Sequence, residues 1–206
     1  MPSTSTLLVF ALTTLAVLVV PGPSVVYVVT RTVQLGRPAG LLSMLGLETG
    51  ALIHVVAAAA GLTALVASSE VAFNAVRYAG AAYLITLGVR QLAKRPALVT
   101  TGTAPAVPRG RLFRDGVMVD LLNPKTGLFF IAFLPQFVDT SAGRVSVQVA
   151  VLGLCFVVLA ALCDSAYALA ADLLSRRLQA SRRTNRVIDR ASAGVYMGLG
   201  GLAAIA

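Results

Sequence analysis

The sequence predicts an all-α polytopic membrane protein of six transmembrane helices, arranged as two inverted three-helix repeats with the first helix of each repeat broken at proline. Three observations predict it. Of the 206 residues, 57% are hydrophobic and 12% charged, about half the charged share of a soluble domain, and the mean hydropathy is +0.85. Several stretches are long enough to cross a bilayer, which takes about 18 or more apolar residues. Basic residues gather in alternate connections between those stretches, as topology signals do.

The apolar segments run near 7–29, 41–66, 71–92, 113–138, 145–174 and 187–206. The first follows "MPSTST", which has no positive n-region, and no A-x-A cleavage site comes after it, so an uncleaved first span is expected. It reads "LAVLVVPGPSVVYVV", in which Pro21, Gly22 and Pro23 interrupt an otherwise spanning run. The fourth segment, "GVMVDLLNPKTGLFFIAFLPQF", carries a matching break at Asn123, Pro124 and Lys125. Each break taken alone reads as a proline kink, which spanning helices tolerate. A pair of breaks at comparable depth, one beside an intramembrane lysine, points instead to a solute site, because non-helical backbone persists at that depth only where it lines a cavity or is buried in protein.

The connections set the orientation. Arg31 and Arg37 lie between segments one and two. Arg90, Lys94, Arg95, Arg109, Arg111 and Arg114 lie between three and four, and Arg176, Arg177, Arg182, Arg183, Arg186 and Arg190 between five and six. By the positive-inside rule these loops are cytoplasmic and both termini lie outside. The stretch "KRPALVTTGTAPAVPRGR" is rich in Pro, Thr and Gly and reads as a flexible linker. The whole chain, 1–206, is then one transmembrane domain, with repeat one near 5–92, a cytoplasmic linker over 93–112 and repeat two over 113–206. The net charge of +9 belongs to these topology signals. With no interleaved aromatics and no basic soluble domain, it gives no nucleic-acid surface.

Polar residues at membrane depth carry the chemistry. Glu48 and His54 fall in segment two, Asp120 and Lys125 in segment four and Asp164 in segment five. An ion at a helix centre costs about 2.5–3.5 kcal/mol on the insertion scale, so passive retention of four is not expected. Three carboxylates face one ammonium, a surplus that suits proton uptake or a cationic group on the solute. His54, the sole histidine, shares a helical face with Gly46 and Gly50, which reads either as a hydrogen-bonded packing residue in a glycine-lined crevice or as a substrate or proton group. Glu48 points about 120° from it. Asp164 is too deep to snorkel. Asp120 and Lys125, five apart, read either as site groups or as a purely structural ion pair across the broken turn. Arg77 either snorkels outward or meets a substrate carboxylate, and Asp172 and Asp189 offset neighbouring arginines.

Other patterns read as packing. Gly46-x-x-x-Gly50, Ala57 to Gly61 and Gly194-x-x-x-Gly198 are close-approach surfaces. The glycine-rich sixth segment suits packing internally or against another copy, so a homo-oligomer stays open. Cys155 and Cys163, roughly 12 Å apart along one helix, are too distant to bridge. There is no phosphate-binding loop for ATP-driven transport and no zinc-ligand spacing, so no cofactor or resident metal is expected.

The stretches "VVPGPSVVYVVTRTVQLGRPAGLLSMLGLETGALIH", "GAAYLITLGVRQL" and "DLLNPKTGLFFIAFLPQFVD" together resemble the lysine-exporter (LysE/RhtB-type) family of amino-acid efflux proteins over nearly the whole chain. The family's Pro-Gly-Pro falls on Pro21, Gly22 and Pro23, its glycine-and-histidine second span on Gly46, Gly50 and His54, its Asn-Pro-Lys on Asn123, Pro124 and Lys125, and its fifth-span acid on Asp164. The resemblance implies a secondary exporter, not an enzyme, carrying amino acids or small derivatives across a bacterial inner membrane with the proton gradient as driving force. A divalent-cation exporter using Glu48, Asp120 and Asp164 as oxygen ligands is the alternative within transport. An intramembrane enzyme built on His54 lacks a nucleophile beside it.

Overall fold

The computed structural model describes residues 2–69, 71, 74, 75 and 107–179. Apart from short connections these are helical, with no strand among them. The third and sixth predicted segments lie almost wholly outside the described residues, and Arg77, Asp189, Gly194 and Gly198 lie outside them entirely.

Helix α1 (Thr4–Val19) opens on Ser3, whose hydroxyl accepts from the Thr6 N–H at 3.1 Å and satisfies one orphan donor. It stops at Val19, two residues before Pro21. Val20 and Gly22, each preceding a proline, are extended, with ψ of 115° and −171°. Helix α2 (Pro23–Leu35) starts with proline in the first turn, where a missing N–H costs nothing. It ends on Gly36 at φ 86°, a conformation that glycine adopts freely. Helix α3 (Arg37–Ser68) follows without a loop.

Pro108 precedes α4 (Arg109–Leu121), so the helix begins within the stretch read as linker. At the second break Asn123 is extended (ψ 110°) before Pro124, and α5 (Pro124–Leu128) runs on through a π-helical turn, Phe129–Phe133, and a 3₁₀ turn, Leu134–Phe137. Helix α6 (Val145–Gln179) closes the described part.

Two helices, Arg37–Ala64 and Val145–Ser175, are long and apolar enough to cross a membrane. The bent pairs α1–α2 (56°) and α4 with Pro124–Phe137 (47°) each meet the same measure when taken as one span. The chain is a multi-pass membrane protein with two to four candidate spans among the described residues. A bent pair followed by a long straight helix occurs twice. Leu12, Val56 and Leu162 are more than 60% exposed, which fits faces turned to lipid.

An aromatic cluster packs the π-helical turn in place. Phe129 lies 4.5 Å from Phe156 of α6 and 5.9 Å from Phe10 of α1, ring centre to ring centre, and Phe130 lies 5.0 Å from Phe156. Helices α3 and α4 touch backbone to backbone. A Cβ on Gly46 would collide with the Phe113 carbonyl, and one on Gly116 with the Ser43 carbonyl. The loop before α6 is clamped by buried Gln148, whose amide donates to the Asp139 carbonyl (2.7 Å) and accepts from the Asp139 N–H (3.0 Å). In that loop the Ser141 hydroxyl and N–H both donate to the Asp139 carboxylate, holding this exposed acid below the usual carboxylate range. Gln148→Leu should cost about 1–2 kcal/mol by stranding the two Asp139 backbone groups. Hydrogen exchange at the Asp139 amide would rise; unchanged protection would show that the clamp is dispensable.

Candidate functional site

The two breaks cross each other. Proline at position 21 leaves the last carbonyls of α1 without intrahelical donors, and side chains from elsewhere in the chain supply them. Tyr167 of α6 donates to the Val19 carbonyl (2.7 Å), and Lys125 Nζ donates to the Val20 carbonyl (2.5 Å). The lysine stem lies over Gly22, where a Cβ would come 3.0 Å from its Cδ. The structural Asp120–Lys125 ion pair, the alternative to a site role for these two residues, is therefore not formed. The lysine reaches over the opposite break instead, because a C-terminal carbonyl lies closer than the acid five residues behind it.

Asp120, 4% exposed near the end of α4, joins the same crossing. Its Oδ1 accepts from Ser24 (3.3 Å), just past the first break, and from Thr126 (2.8 Å), just past the second. Asn123 donates from Nδ2 to the Ser24 hydroxyl (2.8 Å) and accepts with Oδ1 from the Lys125 N–H (3.0 Å), so it caps α5 while gripping α2. The other half-helix has no such cap. Gly22 supplies no side chain to the α2 N-terminus.

A cavity of about 40 Å³ opens at this crossing, space for a few water-sized groups. Gly22, Ser24, Asp120, Asn123, Lys125 and Thr126 line it from the breaks, Glu48 from α3 and Asp164 from α6, while Leu47, Phe129 and Phe156 close its apolar side. Glu48 and Asp164 are both buried. Among the described residues, Glu48 Oε2 and Asp120 Oδ2 have no hydrogen-bond partner. Two acceptor oxygens thus lie buried and unused on residues that line the cavity, with the Lys125 ammonium on its wall. Chemically it can bind a small solute that brings donors or positive charge. Among the described residues, no three His, Cys, Asp or Glu side chains come together as a metal-binding group.

Of the residues singled out by sequence, Gly22, Glu48, Asp120, Asn123, Lys125 and Asp164 meet at the cavity. Pro21, Pro23 and Pro124 shape its walls without lining it. The face carrying Gly46, Gly50 and His54 forms the seat of α4. A Cβ on Gly50 would sit 2.8 Å from Asp120 Cβ, and His54 Nε2 donates to the Asp120 carbonyl (3.3 Å) while its ring stacks on Phe130 (5.9 Å). The imidazole therefore holds the end of α4 from behind, outside the cavity lining. Arg77 lies outside the described residues. Sequence reasoning passed over Ser24, Thr126 and Tyr167. The first two carried a readable signal, a hydroxyl in the first turn after a proline break; Tyr167 carried none.

Comparison with known proteins gives consistent matches. The family described as LysE type translocator matches residues 15–206. A protein of Vibrio cholerae serotype O1 called an uncharacterized membrane protein is 31% identical over 199 residues, 97% of this chain and 96% of its own. The homoserine/homoserine lactone efflux protein of Salmonella typhi is 31% identical over 90% of this chain and 89% of its own. The leucine efflux protein of Salmonella choleraesuis is 35% identical over 66% of this chain and 65% of its own. No solved structure matches.

Proposed function

The chain belongs to the family of LysE type translocators, and from that premise we propose that it is a secondary exporter carrying amino acids or small amino-acid derivatives outward across the inner membrane, driven by the proton gradient. It is a transporter and not an enzyme. The observation that carries the reading is the cavity at the crossing of two broken helices, lined by Glu48, Asp120 and Asp164 and by the ammonium-bearing Lys125. Paired broken helices supply half-helix ends that neutralise the charged ends of a solute in a medium that offers no water. The relatives named for homoserine, homoserine lactone and leucine efflux support amino-acid substrates of modest size.

In this reading six spans form two inverted repeats, the basic loops face the cytoplasm and both termini lie outside. The acids, Asp164 with Glu48 and Asp120, serve the substrate ammonium and proton exchange, and His54 supports Asp120 from behind. Pro21, Pro23 and Pro124 keep the two breaks open. Gly46 and Gly50 let α4 approach, and Arg77 either snorkels outward or meets the substrate carboxylate.

Proteoliposomes loaded with a panel of labelled amino acids test the proposal by export with and without a pH gradient. Gradient-dependent efflux of at least one amino acid is expected, and Asp164→Asn should slow it by about 10- to 100-fold, the range for losing a charged hydrogen-bonding partner. Efflux that ignores the pH gradient would remove the proton coupling. Normal efflux by a folded Asp164→Asn variant would remove that acid from the site.

A further inference from the structure

Resting on the exporter reading, we infer that Ala51 of α3 and Ala160 of α6 are the specificity-determining residues of the cavity they line. They set how large a substrate side chain it accepts, and the site takes amino acids with short aliphatic side chains in preference to aromatic ones.

The lining changes chemistry along the helices that form it. On α6, Asp164, Ala160 and Phe156 line the cavity; spaced four residues apart, they form one row with a rise of about 6 Å per step. On α3, Glu48 and Ala51 line it three residues apart and share a face. In both rows an alanine follows an acid about one turn on. Thr126 and Phe129 repeat the order, polar then apolar, after the second break. The breaks meet a solute with the polar groups of Ser24, Asn123 and Lys125. A substrate whose ammonium is held at the level of the acids therefore has the alanine level left for its apolar side chain.

Room at that level exists because these two side chains are small. The other apolar residues that line the cavity, Val17, Leu18, Val25, Leu47, Phe129 and Phe156, are all larger. Ala51 and Ala160 are buried in the same apolar cluster as Phe129 and Phe156. The two rings, 4.5 Å apart centre to centre, wall the pocket on one side. One turn beyond Ala51 the helices meet: a Cβ on Gly153 of α6 would come 2.6 Å from the methyl groups of Val55. The pocket for the side chain therefore ends there.

An alanine methyl offers no donor, acceptor or charge, so neither residue holds the head group or moves a proton. Each acts through the volume it leaves open. Leucine in place of either one puts three further carbon atoms into a cavity of about 40 Å³, and a pocket wall that gains a methylene discriminates by about tenfold or more between substrates of different length. Glycine at 160 does the reverse and lengthens the pocket.

The test follows export of alanine, homoserine, norvaline, leucine and phenylalanine from proteoliposomes of the intact protein, with leak from protein-free vesicles subtracted. In the wild type the fastest of the first four should move at least about tenfold faster than phenylalanine. Ala51→Leu and Ala160→Leu should each lower the rate of the largest exported aliphatic amino acid relative to the smallest by at least about tenfold. Ala160→Gly should raise phenylalanine relative to the fastest aliphatic substrate. Ratios within one variant do not depend on how much protein is folded. An unchanged ratio in a folded leucine variant would remove that alanine from the role. Phenylalanine moving as fast as the aliphatic amino acids in the wild type would overturn the size limit while leaving amino-acid export standing. No export of any amino acid would overturn the exporter reading and the size limit with it. Where a leucine variant fails to fold, Ala160→Gly and the wild-type ratio decide.

Discussion

Asp120→Ala is expected to abolish measurable export, a loss of more than about 100-fold, and to lower stability by about 1–2 kcal/mol, the scale of polar contacts between membrane helices. The reason is that one carboxylate does two things. Its Oδ1 accepts from Ser24 and Thr126 and so ties the first turn of each half-helix to the end of α4. Its Oδ2 is buried without a hydrogen-bond partner, close to Gly50 of α3. Alanine removes both and strands two hydroxyls. Asp120→Asn separates the two effects, because an amide keeps an acceptor oxygen for the ties but carries no charge. Near-normal unfolding in detergent with export still lost is expected for Asn. If Asn exports like the wild type, the charge at 120 has no part in binding.

Gly46→Ala is expected to destabilise the fold by about 2–3 kcal/mol through overpacking, although alanine is the better helix former. The added methyl meets the Phe113 carbonyl, and the Gly116 Cα stands 3.1 Å away. Backbone atoms cannot rotate aside, so α3 and α4 must separate and Asp120 moves with them. Gly61→Ala is the control on the same helix, since nothing lies within 4 Å of its new Cβ; it should be neutral or gain roughly 0.5–1 kcal/mol. Thermal unfolding of the two variants in one detergent gives the comparison. Equal midpoints would show that the α3–α4 contact relaxes without strain.

The breaks were legible in the sequence because proline acts locally: it removes an N–H and fixes φ wherever it stands. That Glu48, Asp120, Lys125 and Asp164 belong together was legible for a related reason, since helical rise put them at one level along their helices, and all four line the cavity. The partners were not. Lys125 bonds Val20, 105 residues away, and Ser24 bonds Asp120 across 96; no periodicity encodes which break crosses which. The spacing of Asp120 and Lys125 suggested a local pair, but the crossing offered the lysine an orphan carbonyl nearby. The face of Gly46, Gly50 and His54 was read correctly as a close-approach surface. What approaches it is the carboxyl-terminal end of α4, and this turns His54 from a cavity group into a backbone anchor.

The Pro21-Gly22-Pro23 elbow also has a mechanical meaning. Both prolines have φ locked by their rings, and Val20 and Gly22, each preceding a proline, are confined to extended backbone. Four consecutive residues thus have little torsional freedom. The 56° bend is a stiff bracket set by covalent geometry, with no spring in it. The next permissive joint is Gly36, whose φ of 86° lies where glycine is free of strain. A change of angle along α1–α3 would therefore be taken up at the α2–α3 junction sooner than at the prolines.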